Sequence, residues 1–238
     1  FLEYARTVSS LSLGDRNRSK IERLGSLPNS KKYNPVIQEI WLRSRPIPNR
    51  CFSKLTSLTV DGCQFLSDVV LPFFLLPLLT NLEQLQVSCC GSVKSIFDVK
   101  GITQERERNP LPFALKELTL RKLPKLENVW NEDPHGILSM QLLQHVSVDY
   151  CNCLTSVFPA SVAKDLEKLV VKDCEGLMEI VGEDNADPRG ANLELTFPCP
   201  CVSSLELHGL PKFKYFYYCS LQCDIFKTRT EDQVCDEK

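Results

Sequence analysis

The side chains able to do chemistry in this sequence fall into a few short spacings. Cys151-x-Cys153, Cys199-x-Cys201 and Cys219-x-x-x-Cys223 each bring two thiols close enough to form half of a zinc site. A structural zinc needs four converging ligands, usually supplied by C-x-x-C knuckles, and no such knuckle is present. The histidines, His135, His145 and His208, form neither H-E-x-x-H nor any other close metal pair. No G-x-S-x-G elbow presents a serine nucleophile, and no glycine is followed directly by Lys, so a G-x-x-x-x-G-K-[ST] phosphate loop is absent. Asn17-Arg18-Ser19 is a lone glycosylation acceptor pattern that matters only in a secreted chain. These spacings predict a non-enzyme with no catalytic, cofactor or metal residues in this segment.

Composition narrows the reading further. Of 238 residues 43% are hydrophobic, enough to bury a sizeable core, and a formal charge of -2 supplies no basic field for nucleic acid. The most apolar run, "VVLPFFLLPLL" at residues 69 to 79, carries Pro72 and Pro77 and falls well short of the roughly 20 residues a bilayer span requires. A buried core segment is therefore expected, with no membrane span. Twelve cysteines would suit a secreted disulfide scaffold, but the ordinary hydrophobic content argues against one, and any disulfide is expected chiefly among residues 199 to 235. The chain opens on Phe1 with neither Met nor a basic-then-apolar leader, which predicts a piece of a longer protein.

The elements that position these side chains come from an internal repeat. "FSKLTSLTVDGCQFLSDV" at 52 to 69, "LEQLQVSCCGSVKSIF" at 82 to 97 and "LKELTLRKLPKLENVW" at 115 to 130 share one pattern. It continues in "LQHVSVDYCNCLTSVF" at 143 to 158, "LEKLVVKDCEGLMEIV" at 166 to 181 and "VSSLELHGLPKFKYFY" at 202 to 217. All fit L-x-x-L-x-L-x-x-(C/L)-x-x-L-x-x-(I/V/F). The anchors of the L-x-L step are Leu58/Val60, Leu85/Val87, Leu118/Leu120, Val146/Val148, Leu169/Val171 and Leu205/Leu207, offset irregularly by 23 to 36 residues. Two weaker candidates lie upstream, Val8/Leu11/Leu13 and Ile37/Ile40/Leu42.

In L-x-L a period of two puts both apolar side chains on one face of a short strand. The following step of about three suits a turn or loosely helical return over the same core. One such unit has no partner for its backbone or its leucines, so the units must stack. The predicted fold is an α/β repeat solenoid: an irregular horseshoe with a concave parallel β-sheet and a convex side of loops and short helices. Residues 1 to 51 are expected to form degenerate N-terminal repeats or a cap, 52 to 217 six repeats with polar inserts at 98 to 112 and 182 to 194, and 218 to 238 a degenerate tail.

Cys63, Cys90, Cys151 and Cys174 each stand three residues after the second anchor, where Leu123 and Leu210 replace them in two repeats. Interchange with Leu marks a packing position, at which a small thiol also serves as a weak donor to loop carbonyls. In "KYFYY", Phe213 and Phe216 are expected to fill the sixth repeat while Tyr215, Tyr217 and Tyr218 shield its edge.

The outward residues of the strands are the candidate protein-binding face. They are Ser57, Thr59 and Asp61, then Gln84, Gln86 and Ser88, then Glu117, Thr119 and Arg121. The series continues with His145, Ser147 and Asp149, with Lys168, Val170 and Lys172, and with Ser204, Glu206 and His208. Parallel stacking would set them about 5 Å apart from repeat to repeat, and their mixed charge suits a protein partner better than nucleic acid.

The segments "LKELTLRKLPKLENVW", "LEKLVVKDCEGLMEIV" and "LELHGLPKFKYFYY" resemble the leucine-rich-repeat region of plant nucleotide-binding leucine-rich-repeat disease-resistance proteins of the coiled-coil class, over residues 52 to 217. The resemblance implies a cytoplasmic recognition and autoinhibition module. Its partners would be a pathogen effector or guarded host protein and, within the same receptor, a nucleotide-binding module. ATP or ADP would bind only to that upstream module, outside this segment. "LTVDGCQFLSD" is also similar to the substrate-recognition repeats of F-box ubiquitin-ligase adaptors, although the repeat lengths here are less regular than in that family.

Overall fold

The computed structural model describes residues 6–14, 35–43, 47, 50–100, 110–162, 164–182 and 201–217. The elements run β1 (Ser10–Gly14), α1 (Pro35–Trp41), β2 (Ser57–Asp61), β3 (Val69–Leu71), β4 (Gln84–Ser88), β5 (Ser95–Phe97), β6 (Leu111–Pro112), β7 (Glu117–Arg121) and β8 (Asn128–Trp130). They continue with β9 (Leu138–Ser139), β10 (His145–Asp149), β11 (Ser156–Pro159), β12 (Lys168–Lys172), β13 (Glu179–Gly182), β14 (Ser204–His208) and β15 (Tyr215–Tyr217).

One five-residue strand per repeat joins a seven-stranded parallel sheet in the order β1-β2-β4-β7-β10-β12-β14. Its register aligns the anchors: Leu58, Leu85, Leu118, Val146, Leu169 and Leu205 form one row, and Val60, Val87, Leu120, Val148, Val171 and Leu207 the next. Sheet order follows chain order because each return segment is too short to skip a neighbour. The upstream candidate around Leu11 and Leu13 is strand β1, whose Leu11 and Leu13 are both buried. The candidate at Ile37/Ile40/Leu42 is not a strand. It falls in and just after helix α1, with Ile40 and Trp41 buried and Leu42 outside the core, since the step of three between its isoleucines is the helical period rather than the strand period.

The convex side holds the expected loops and short 3-10 turns, at Leu76–Leu78 and Ala160–Val162. It also holds short parallel strands, β3-β5-β8 and β11-β13-β15, while β6 pairs with β9 on the way into the long sheet. The triplets "SIF", "NVW", "EIV" and "YFY" are rich in β-branched and aromatic residues, and stacking at the strand spacing lets their backbone groups pair where a helix would have needed more residues per turn of the solenoid. Under this layer Phe97 stacks on Trp130 at 5.4 Å and meets Phe113 edge-on at 5.9 Å. Trp41 from α1 donates its indole N–H to the Val70 carbonyl at 2.7 Å. The run at 69 to 79 is core, with Val70, Leu71, Leu75, Leu76 and Leu79 fully buried, and among the described residues no helix is long and apolar enough to cross a membrane.

Candidate functional site

Each outward side chain sits between two inward anchors, so the pleat alone puts it on the opposite face of the long sheet. The parallel register then assembles three rows across the strands. The first runs Ser57, Gln84, Glu117, His145, Lys168, Ser204; the second Thr59, Gln86, Thr119, Ser147, Val170, Glu206; the third Asp61, Ser88, Arg121, Asp149, Lys172, His208. β1 extends them with Ser10, Ser12 and Gly14. All of these residues are exposed or half-buried, and the structure brings every one of the expected face residues together.

The face is not uniform. From β1 to β4 it is hydroxyl, amide and a single acid, Asp61, whose Oδ1 accepts the Ser88 hydroxyl at 2.7 Å. A shallow open depression of about 90 Å³ lies there between Ser57, Thr59, Gln84, Gln86, Glu117 and Thr119, well below the roughly 300–1,000 Å³ of a small-molecule site. From β7 to β14 the face is charged. Glu117 accepts Gln84 at 3.1 Å and faces His145 at 3.8 Å, Arg121 faces Asp149 at 3.7 Å, and Lys172 meets Glu206 at 3.1 Å. The Lys172 hydrogen bond and charge hold the Glu206 carboxyl below the usual glutamate range.

A further column borders the rows. The residue directly after each long strand from β2 to β14 takes a left-handed conformation: Gly62, Cys89, Lys122, Tyr150, Asp173 and Gly209, with φ between 50° and 63°. The N–H of each of the first five donates to the last strand residue of the next repeat, as in Gly62 to Ser88 at 2.9 Å and Asp173 to His208 at 2.9 Å. The turn thus adds one rung to the sheet and lifts the side chains of Lys122, Tyr150 and Asp173 to the exposed rim. The charge of Asp173 and its hydrogen bond to the phenol push Tyr150 above the usual tyrosine range. Sequence reasoning passed over this column, although its signal was present in two glycines, Gly62 and Gly209, at the same place in different repeats.

The cysteines after the turn point inward. Cys90, Cys151 and Cys174 are fully buried and donate to the carbonyls of Ser88, Asp149 and Lys172 at 3.3, 3.6 and 3.2 Å. Packing is therefore joined by a hydrogen bond at this position. Cys151 is buried and Cys153 exposed, so that pair diverges, and among the described residues no three His, Cys, Asp or Glu side chains converge as a metal site would require. Cys201 is exposed; Cys199, Cys219 and Cys223, the Asn17-Arg18-Ser19 pattern, Tyr218 and most of the second insert lie outside the described residues. His145 and His208 stand on the open face, whereas the His135 N–H caps the Asp133 carboxylate at 2.9 Å away from the long sheet. Phe216 is buried and Phe213 packs half-buried against the core.

Residues 27–175, more than half of the chain, match the family described as plant disease resistance protein RPS2-like, leucine-rich repeats. No curated protein and no solved structure matches the chain. The repeat geometry continues past the matched region through β14 and β15.

Proposed function

The chain belongs to the leucine-rich-repeat family of plant disease resistance proteins, and on that premise we propose that the open face of its long sheet recognises a pathogen effector or a guarded host protein in the cytoplasm. The same array is proposed to restrain a nucleotide-binding module of the longer receptor, where ATP or ADP would bind. The observation that carries the reading is the in-register assembly of three rows of polar side chains across one open sheet face. Such a face offers many weak contacts to a folded partner, and the depression described on it is too small for a typical small-molecule substrate. The family match favours this reading over an F-box adaptor.

The test uses the full-length receptor expressed in leaf tissue. Deleting residues 52 to 217 should release cell death without a pathogen, and the combined change Thr59→Arg, Gln86→Arg and Ser147→Arg should abolish the pathogen-triggered response while the protein still accumulates. A silent deletion would remove the restraint role, and a triple variant that responds normally would remove recognition by this face.

A further inference from the structure

Every acid on the open face of the long sheet is already engaged within that face. Asp61 takes the Ser88 hydroxyl, Glu117 takes Gln84 and His145, Asp149 takes Arg121, and Glu206 takes Lys172. The cations are not matched in the same way. Lys168 is exposed, and its register neighbours are His145 on one side and Ser204 on the other. Glu167, the acid before it in the chain, accepts the Gln144 amide at 3.1 Å. Glu206 feels the Lys168 charge through space, but its hydrogen bond goes to Lys172. Among the described residues of this face, Lys168 is the one lysine or arginine with no ion pair to an acid, Arg121 and Lys172 each having one, and it stands on the same strand as the half-buried Val170.

We infer that the β10–β12–β14 corner of the face binds a protein segment that presents a carboxylate to Lys168 and an aliphatic side chain to Val170. The inference rests on the recognition reading above and adds the place and chemistry of the contact. A nucleic acid fits this corner poorly. Glu117, two strands across in the same row, and Glu206, one strand across and two residues along, lie within about 10 Å of Lys168 at the spacing of a sheet, and would face successive phosphates. A single carboxylate beside an apolar contact meets the lysine without meeting those acids.

The experiment pans a random-peptide library displayed on phage against the purified 238-residue chain, with Lys168→Glu, Lys168→Arg, Gln86→Lys and Thr119→Lys in parallel and thermal melts confirming that each is folded. Selected peptides should carry Asp or Glu next to an aliphatic residue, bind Lys168→Glu at least about tenfold more weakly, and retain binding to Lys168→Arg. Binders without an acid, binders indifferent to Lys168→Glu, or no binders at all would overturn the inference. If binding is lost in Gln86→Lys and Thr119→Lys but not in Lys168→Glu, recognition by the face stands and its assignment to Lys168 falls; indifference to all four variants removes both. Displacement of the selected pool by oligo-dT, and not by a free Glu-containing peptide, would place a polyanion there and overturn the protein assignment.

Discussion

Cys174 is fully buried and makes two hydrogen bonds: its sulfur donates to the Lys172 carbonyl at 3.2 Å and accepts the Cys151 N–H at 3.4 Å. Leu fills the same position in two other repeats without either bond, so packing was legible from the interchange and the bonding was not. The hydrogen bond to Cys174 and burial together push the Cys151 thiol far above the usual cysteine range, which keeps it protonated and unreactive. Burial shields Cys174 as well as Cys151, so native-state labelling with iodoacetamide should modify the exposed Cys153 and Cys201 promptly and reach the two buried thiols only on unfolding, as read by mass spectrometry. The left-handed column makes a second prediction of opposite signs. Gly62→Val forces a β-branched residue to φ 63° and should lower stability by about 1–2 kcal/mol. Lys122→Gly relieves a non-glycine at φ 53° and should raise it by under about 1 kcal/mol once the flexibility of glycine is offset. Urea melts of the two variants against the parent chain measure both.

At the scale of the element, a strand of this solenoid is defined by what covers it. β12 lies between β10 and β14, and its Leu169 and Val171 are fully buried. β14 carries the same L-x-L step at the edge of the sheet, yet Leu205 is 43% exposed and Leu207 only half-buried. Two leucines with identical sequence roles therefore differ in what they contribute. Leu169→Ala should cost about 2–5 kcal/mol, whereas Leu205→Ala should cost under about 1 kcal/mol, with denaturant midpoints as the measurement. The step of two predicted six of the seven long strands outright and marked β1 as a weaker candidate. The step of three marked the return but did not reveal that β5, β8, β13 and β15 pair with their neighbours, because that pairing depends on the distance between stacked repeats and not on any one repeat. Helix α1 was obscured for a related reason: two isoleucines three apart read as a weak repeat until Trp41 is seen reaching the Val70 carbonyl.

Across the whole molecule each repeat rests only on its neighbours, so stability should follow position in the stack. Hydrogen exchange followed by mass spectrometry is expected to show the slowest amides in β4, β7 and β10 and a measurable loss of protection in β14; uniform protection from β2 to β14 would contradict this stacking account. Length, composition and the recurring L-x-x-L-x-L determined by themselves that the chain is a parallel-strand solenoid, and period two fixed which residues of each strand face outward, since alternation is a property of any extended chain. The tertiary structure decided what the sequence leaves open. Aligned anchors already set Lys168 between His145 and Ser204 once the strands stack, but only the tertiary structure brings Lys172 to Glu206 and leaves Leu205 43% exposed and Leu207 half-buried in β14. Charge neutralisation and burial are relations between repeats, so they exist only once the repeats are stacked.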